Sequence, residues 1–172
     1  MSTVTKKITN ANVYMNGASL LGRAEEVQCP VIKHKFTEFK ALGLVGSPEF
    51  FSGIEKMEAK IKWNSFYDDV LGLVANPINA IQLQVRSSLE TYTSSGRTAE
   101  QAVVCYMTAT PKDFPLGNFK QHDNVEMETN FSITYCKLEI GGLPILEIDI
   151  LANIYKVKGV DILAQYRANL GI

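Results

Sequence analysis

The chain has 172 residues, 46% hydrophobic and 20% charged, with 17 basic and 18 acidic groups for a net charge of −1, the balance of an ordinary globular chain long enough for one domain with a real core. Near-neutrality excludes bulk attraction to nucleic acid, and no apolar run approaches the ~20 residues of a membrane span. Met-Ser-Thr-Val-Thr-Lys-Lys is not followed by the apolar region of a secretory signal, so the expectation is a chain that folds in the cytoplasm of the cell that makes it.

Residues 1–11 are polar and aperiodic and read as a flexible arm. Asn12–Met15 is a short strand, Asn16-Gly17 a turn dipeptide and Leu20–Arg23 the return. Val27–Lys40 alternates along two faces, Val31, Lys33, Lys35, Thr37 and Phe39 against Ile32, His34, Phe36 and Glu38, with Pro30 suiting a strand beginning or an edge. Residues 41–53, Ala41 to Gly53, do not alternate and read as a long loop that nevertheless holds Leu42, Leu44, Val45, Phe50 and Phe51. Leaving such side chains in water is unfavourable by roughly 25 cal/mol per Å². Either the loop folds back on its own core or it buries these residues in a neighbour.

Ile54–Trp63 alternates, Met57, Ala59, Ile61 and Trp63 facing in and Glu58, Lys60 and Lys62 facing out. Ser65 followed by Asp68 resembles a capping box, and Phe66, Val70, Leu71 and Val74 form a helical stripe that Asn76-Pro77 ends. Ala80–Tyr92 is a strand, Thr93–Arg97 a polar turn and Thr98–Thr110 a return strand apolar on both faces. Pro111–Asp123 is a second long loop. From Val125 to Tyr135 the odd positions are Val125, Met127, Thr129, Phe131, Ile133 and Tyr135, and the even ones Glu126, Glu128, Asn130, Ser132 and Thr134, a long strand with one apolar and one wet face. Gly141-Gly142 supplies a tight turn, Leu143–Ile150 returns, Asn153–Lys158 is extended, and Val160–Leu170 reads as helix. These elements predict one mainly β, antiparallel sandwich or barrel-like domain over residues 1–172, with one flanking helix and a short C-terminal helix.

Charge is unevenly spread. Asp123, Glu126, Glu128, Glu139, Glu147 and Asp149 face Lys137 alone in residues 123–150, whereas Lys6, Lys7, Arg23, Lys33, Lys35 and Lys40 outnumber Glu25, Glu26 and Glu38 in residues 1–40. A basic front and an acidic back attract each other between copies of the chain, or else both are solvated faces.

Catalytic signatures are missing from the sequence. His34 and His122 have no metal-ligand spacing, and Cys29, Cys105 and Cys136 form no CxxC pair, so buried thiols are expected and neither a metal nor a cofactor. No GxSxG, Walker loop or GxGxxG occurs. Glu126 with Glu128, and Glu147 with Asp149, place carboxylates about 7 Å apart along a strand, within a glycosidase's range. The small polar neighbours Asn130, Ser132 and Thr134 offer no sugar-stacking cleft, however, and a non-enzymatic role is expected. A carboxylate-dependent hydrolase and a monomeric ligand-binding β-barrel are the competing classes. Exposed strand edges serve a third, in which copies pair their edges and close into a ring.

Tyr135-Cys-Lys-Leu-Glu through Gly141, then Leu146-Glu-Ile-Asp-Ile-Leu151, Gly159-Val-Asp161 and Arg167-Ala-Asn-Leu-Gly-Ile172 resemble the major tail tube protein of contractile-tailed bacteriophages. That family's ending typically reads YYKLxxxG, EID, NGVD and an RxxLG-like close. Asn12-Val-Tyr-Met-Asn-Gly17 is similar to its opening strand and turn, while Cys136 stands where a second tyrosine is common and Lys158 where Asn usually precedes Gly159. R-type bacteriocin tube proteins share the pattern. The resemblance implies a β-barrel-like subunit, six of which form a ring whose hairpins join into one inner barrel. The implied tube is a virion part assembled in the host cytoplasm, stacked within a contractile sheath and conducting DNA without specific binding, or it belongs to a DNA-free bacteriocin. Its implied partners are copies of itself and the sheath, tape measure, baseplate and tail terminator proteins. On this reading Glu126, Glu128, Asn130, Ser132 and Thr134 line the channel, with Lys60 and Lys62 making the wall mixed in charge. Leu42, Leu44, Val45, Phe50 and Phe51 of loop 41–53 then bridge subunits or rings.

Overall fold

A computed structural model describes residues 3–123 and 125–172. In chain order the elements are β1 (Thr5–Met15), β2 (Ala18–Ser19), β3 (Ala24–Gln28), β4 (His34–Glu38), β5 (Glu49–Ile54), β6 (Met57–Trp63), α1 (Asp68–Val74), β7 (Ile81–Thr93), β8 (Gly96–Pro111), β9 (Met127–Ile140), β10 (Leu143–Asp149), β11 (Ile154–Val157), β12 (Val160–Asp161) and α2 (Ala164–Leu170). The strands are antiparallel, in the order β12-β11-β10-β9-β8-β7-β1-β2, with β6 joined to β9 and β3 to β6.

The sheet is organised around β9. One of its edges pairs with β8 from Phe131 to Ile140. The other is shared: β6 takes Met127–Ile133, and β10 takes Tyr135–Ile140. Thr134 lies at the changeover and has no partner in the β8 register, which steps from Ala109↔Ile133 to Thr108↔Tyr135. Its carbonyl accepts the Ile150 N–H at 3.0 Å. One extra residue inverts the parity of a strand and bends it. Met127, Phe131 and Ile133 are therefore buried before the bulge and Cys136 after it. Tyr135, expected on the apolar face, instead turns outward, its hydroxyl 3.2 Å from Glu147 Oε1.

The bend lays two β-layers over one core. β3, β6 and the first half of β9 contribute Ile61, Trp63, Met127 and Phe131; β1, β7, β8 and β10 contribute Met15, Leu83, Met107 and Ile148. Val70 and Val74 of α1 join the same cluster. Thr129 is fully buried among these residues, and its Oγ1 accepts the Trp63 Nε1–H at 3.1 Å.

Several sequence expectations are corrected. Of the expected arm over 1–11, Met1 and Ser2 lie outside the described residues, but residues 5–11 belong to β1, paired with β7 from Thr5↔Tyr92 onward. Backbone pairing holds them there although their side chains remain exposed. The expected return Leu20–Arg23 is replaced by the two-residue β2 and a turn. The continuous strand Val27–Lys40 is broken around Pro30 into β3 and β4. The second half of loop 41–53 is β5, which pairs with β4 in a separate two-stranded sheet. Ser65 does not cap α1; Tyr67 holds the cap position without a side-chain bond. Asp69 in the first turn, where helix dipoles favour acids, instead meets Arg23 at 2.6 Å. The terminal helix starts at Ala164, because residues 160–161 form β12 after the Lys158-Gly159 turn.

Candidate functional site

The wet face expected on β9 exists and extends over three neighbouring strands. The ladder register sets Glu26, Lys62 and Glu128 side by side, then Gln28, Lys60 and Asn130, then Glu58, Ser132 and Thr110. Alternation makes this inevitable: once Ile61, Trp63, Thr129 and Phe131 face the core, their even-numbered neighbours face away.

Charge on this face is compensated. Lys60 Nζ reaches Glu128 Oε2 at 2.9 Å and Lys62 Nζ reaches Glu25 at 3.4 Å. Lys112 Nζ and Lys56 Nζ converge on Glu58 Oε1, the latter at 3.1 Å. Asp113 accepts both the backbone N–H and the side-chain amide of Asn130, at 2.9 and 2.6 Å. The hydrogen bond to Lys112, then that to Lys56, holds the Glu58 carboxyl below its usual value. Donating hydrogen bonds to Glu128 and Glu25 raises Lys60 and Lys62 respectively. The face is salted with both signs, as Lys60 and Lys62 had indicated.

Of the five expected wall residues, Glu128, Asn130 and Ser132 come together here. Glu126 lies just before β9, bridged to Asn118 and 4.0 Å from Lys120. Thr134 sits on the bulge at the end of the face. Lys112 and Asp113 were missed because Pro111 marks the start of a loop in the sequence, yet the chain continues alongside β9, with the Lys112 N–H bonded to Asn130 O at 2.8 Å.

The paired carboxylates do not form an acid and base facing a cleft. Glu147 meets Lys156 at 3.2 Å and Tyr135, whereas Asp149 Oδ1 accepts the backbone N–H of Leu151 and Ala152 at 3.0 Å each. Burial, then the neighbouring Glu147, pushes the Tyr135 phenol up to about 12. Among the described residues, no group of three His, Cys, Asp or Glu is placed to hold a metal ion, and no helix is long and apolar enough to cross a membrane.

A second feature is the β4–β5 hairpin. Phe36 and Phe51 pack edge-to-face at 6.2 Å, as do Phe39 and Phe50 at 5.9 Å, but Phe50 and Phe51 remain 57% and 46% exposed and Leu42 and Val45 at the tip fully so. Leu44 is exposed beside them. The loop therefore does not fold back on the core of its own chain. Its base is tied down by His34, whose Nε2 lies 2.9 Å from the Tyr155 hydroxyl.

A family model described as phage tail tube protein FII matches residues 5–171. The chain is 29% identical over 171 residues to the tail tube protein of Escherichia phage P2, covering 97% of this chain and 98% of that protein. Its fold is similar to a chain of the sheath–tube complex of PVC, an extracellular contractile injection system, in the extended state, with TM-score 0.57 and 10% identity over 75% of this chain and 87% of that one. A chain from the sheath/tube terminator of that system gives TM-score 0.55 at 10% identity, over 75% of this chain and 92% of that one.

Proposed function

The chain belongs to the phage tail tube protein FII family and is a tail tube protein of a contractile system; from that premise we propose that six copies close head to tail into a ring, that rings stack into a rigid tube, and that the polar face of β3, β6 and β9 lines its channel. The tube then lies inside a contractile sheath, ends at a terminator and a baseplate, surrounds a tape measure protein during assembly, and conducts DNA into the host.

The observation that carries this reading is the charge-compensated wall. Each phosphate neutralised by a free Lys or Arg adds salt-dependent affinity, and a conduit works only if it does not hold its cargo. Lys60, Lys62 and Lys112 each already have a carboxylate partner, so a duplex has to displace an ion pair at every contact. Glu26, beside Lys62 in the ladder, and Asp113 repel it between those contacts. Low affinity here arises from pairing rather than from a purely acidic lining.

Two features support assembly. Among the described residues β3 pairs with β6 alone, leaving an edge whose main-chain groups the next copy can satisfy. The β4–β5 hairpin carries exposed Leu42, Leu44, Val45, Phe50 and Phe51, and an isolated two-stranded hairpin is marginal in water; burial in an adjacent subunit or ring stabilises both. Negative-stain images of the purified chain test the assembly: rings or tubes are expected, and a protein that stays monomeric under all conditions tried opposes it. Replacing Phe50 and Phe51 by serine should leave a folded monomer that stacks poorly, and unimpaired tubes overturn the hairpin's role. The fold shared with an extracellular injection system favours one second reading, a tube that carries no DNA; nucleic acid inside intact particles decides between them.

A further inference from the structure

The two ends of the β6–β9 wall differ. At one, β6 begins at Met57, opposite Ile133 of β9, and the β4–β5 hairpin joins it through Glu55 and Lys56. Strands of five and six residues carry the hairpin tip, residues 41–46, roughly 15–20 Å from that base. At the other end Trp63 lies opposite Met127. There Phe66, just ahead of α1, stacks on Phe119 of the loop before β9, the ring centroids 5.6 Å apart. Gly117 makes this contact possible: it holds φ of 91°, and a Cβ on it would come within 2.8 Å of the Phe66 ring and 2.9 Å of Val125, so glycine alone lets the loop lie so close. Leu116 and Phe119 are nevertheless 79% and 74% exposed. An apolar tip at one end and an apolar seat at the other, both uncovered within one chain, are the two halves of a head-to-tail contact. Charge matches as well. Glu38 and Glu49 stand opposite each other beside the tip. Lys40 approaches Glu38 at 3.4 Å, while Glu49 has no ionic partner among the described residues. Next to Phe119, Lys120 is exposed and comes no nearer than 4.0 Å to Glu126.

We propose that the tip of the β4–β5 hairpin seats on the Phe66, Leu116 and Phe119 patch of a copy in the next ring, with Glu49 meeting Lys120, and that this contact stacks the rings. It rests on the proposed ring: with the polar face of β3, β6 and β9 turned inward, the two ends of those strands become its two rims. The hairpin leaves one rim and its seat lies on the other, so the contact runs between rings and not between neighbours within one. Each ring then presents tips on one side and seats on the opposite side, and the stack is polar and repeats without closing on itself. Burying Leu42, Leu44 and Val45 against the seat supplies the apolar gain. The Glu49–Lys120 pair fixes which way round a ring is accepted, because a ring offered in the reverse sense brings tip to tip and sets Glu49 against Glu49.

The experiment assembles the full chain carrying Val45→Cys and Leu116→Cys together, treats it with a short bismaleimide, and separates the products by denaturing electrophoresis. Each single variant serves as the control for the three native cysteines. The double variant alone should give a ladder that continues beyond six chains. A ladder that stops at six places the contact within a ring, and assembled tubes with no links beyond those of the single variants remove it; either overturns the proposal. Charge exchange supplies the second arm. Glu49→Lys and Lys120→Glu should each leave rings that stack poorly in negative stain, and the two together should restore tubes. Single reversals that stack like the parent, or a double variant no better than the singles, also overturn it. Circular dichroism checks that each variant is folded, and the cross-linked ladder decides the matter where one is not. A parent chain that forms no rings refutes the ring itself, whereas rings that stack without these links refute only the seat.

Discussion

Replacing Thr129 with valine exchanges one hydroxyl for a methyl at a fully buried position, where the hydroxyl's partner is the indole N–H of Trp63 at 3.1 Å. The shape is nearly conserved, so the change isolates the bond. Stranding a buried donor costs about 1–3 kcal/mol, and the added apolar group recovers at most about 0.8 kcal/mol. The net expectation is a loss of about 1–2 kcal/mol. With a urea m-value of about 1–3 kcal/mol/M for a small domain, the midpoint drops by roughly 0.5–1 M at unchanged slope. Trp63 is the single tryptophan of the chain, so its fluorescence follows unfolding at the site itself. Trp63→Phe should cost less in the valine background than alone, since the bond is already gone. A valine variant as stable as the parent, or two substitutions whose costs simply add, refutes the assignment of this bond as a core constraint.

Other perturbations address the bulge, a turn and the C-terminal helix. Deleting Thr134 removes the one β9 residue that the β8 register skips, leaving Ile133 facing in, Tyr135 out and Cys136 in on an unbroken ladder; the variant should stay folded with a native-like near-UV spectrum and lose stability only through the straightened bend, and an insoluble or molten product contradicts this. Lys158 holds φ of 49° ahead of Gly159, a region that costs a bulky L-residue about 1–2 kcal/mol and asparagine less. Lys158→Asn should therefore raise the thermal midpoint, and a lowered midpoint counts against strain there. Arg167, then the Leu163 backbone N–H, holds the Asp161 carboxyl below its ordinary value. Because the folded value is depressed, the stabilisation is complete above the ordinary aspartate range and fades as pH falls through the lowered value. Protection factors of the amides over residues 164–170, in which the intrinsic pH dependence of exchange is divided out, should fall on acidification in the parent but be low and flatter with pH in Asp161→Asn; matching profiles contradict the anchor.

Parity made much of the fold legible. Met57, Ala59, Ile61 and Trp63 are buried as alternation required, as are Met127, Phe131 and Ile133, because a strand with one covered face records that face in every second residue. The bulge at Thr134 left no such record: one inserted residue changes neither composition nor hydropathy, so Tyr135 was read into the wrong face. Residues 5–11 looked like an arm because their place in the sheet rests on backbone pairing with β7, which is blind to side-chain pattern. The β4–β5 hairpin was hidden for the opposite reason. Its apolar residues remain uncovered within one chain, so no buried-and-exposed alternation marks Phe50 and Phe51. The carboxylates of the polar face were legible, but their lysine partners lie on other strands, and the register that joins Lys60 to Glu128 and Lys112 to Glu58 exists only after folding.

A helical reconstruction of the assembled protein tests the channel assignment most directly. The account predicts stacked six-membered rings with Lys60, Glu128 and Ser132 on the inner wall and the hairpin around Phe50 and Phe51 buried between copies. A tube with that face turned outward, or with the hairpin left in solvent, contradicts it.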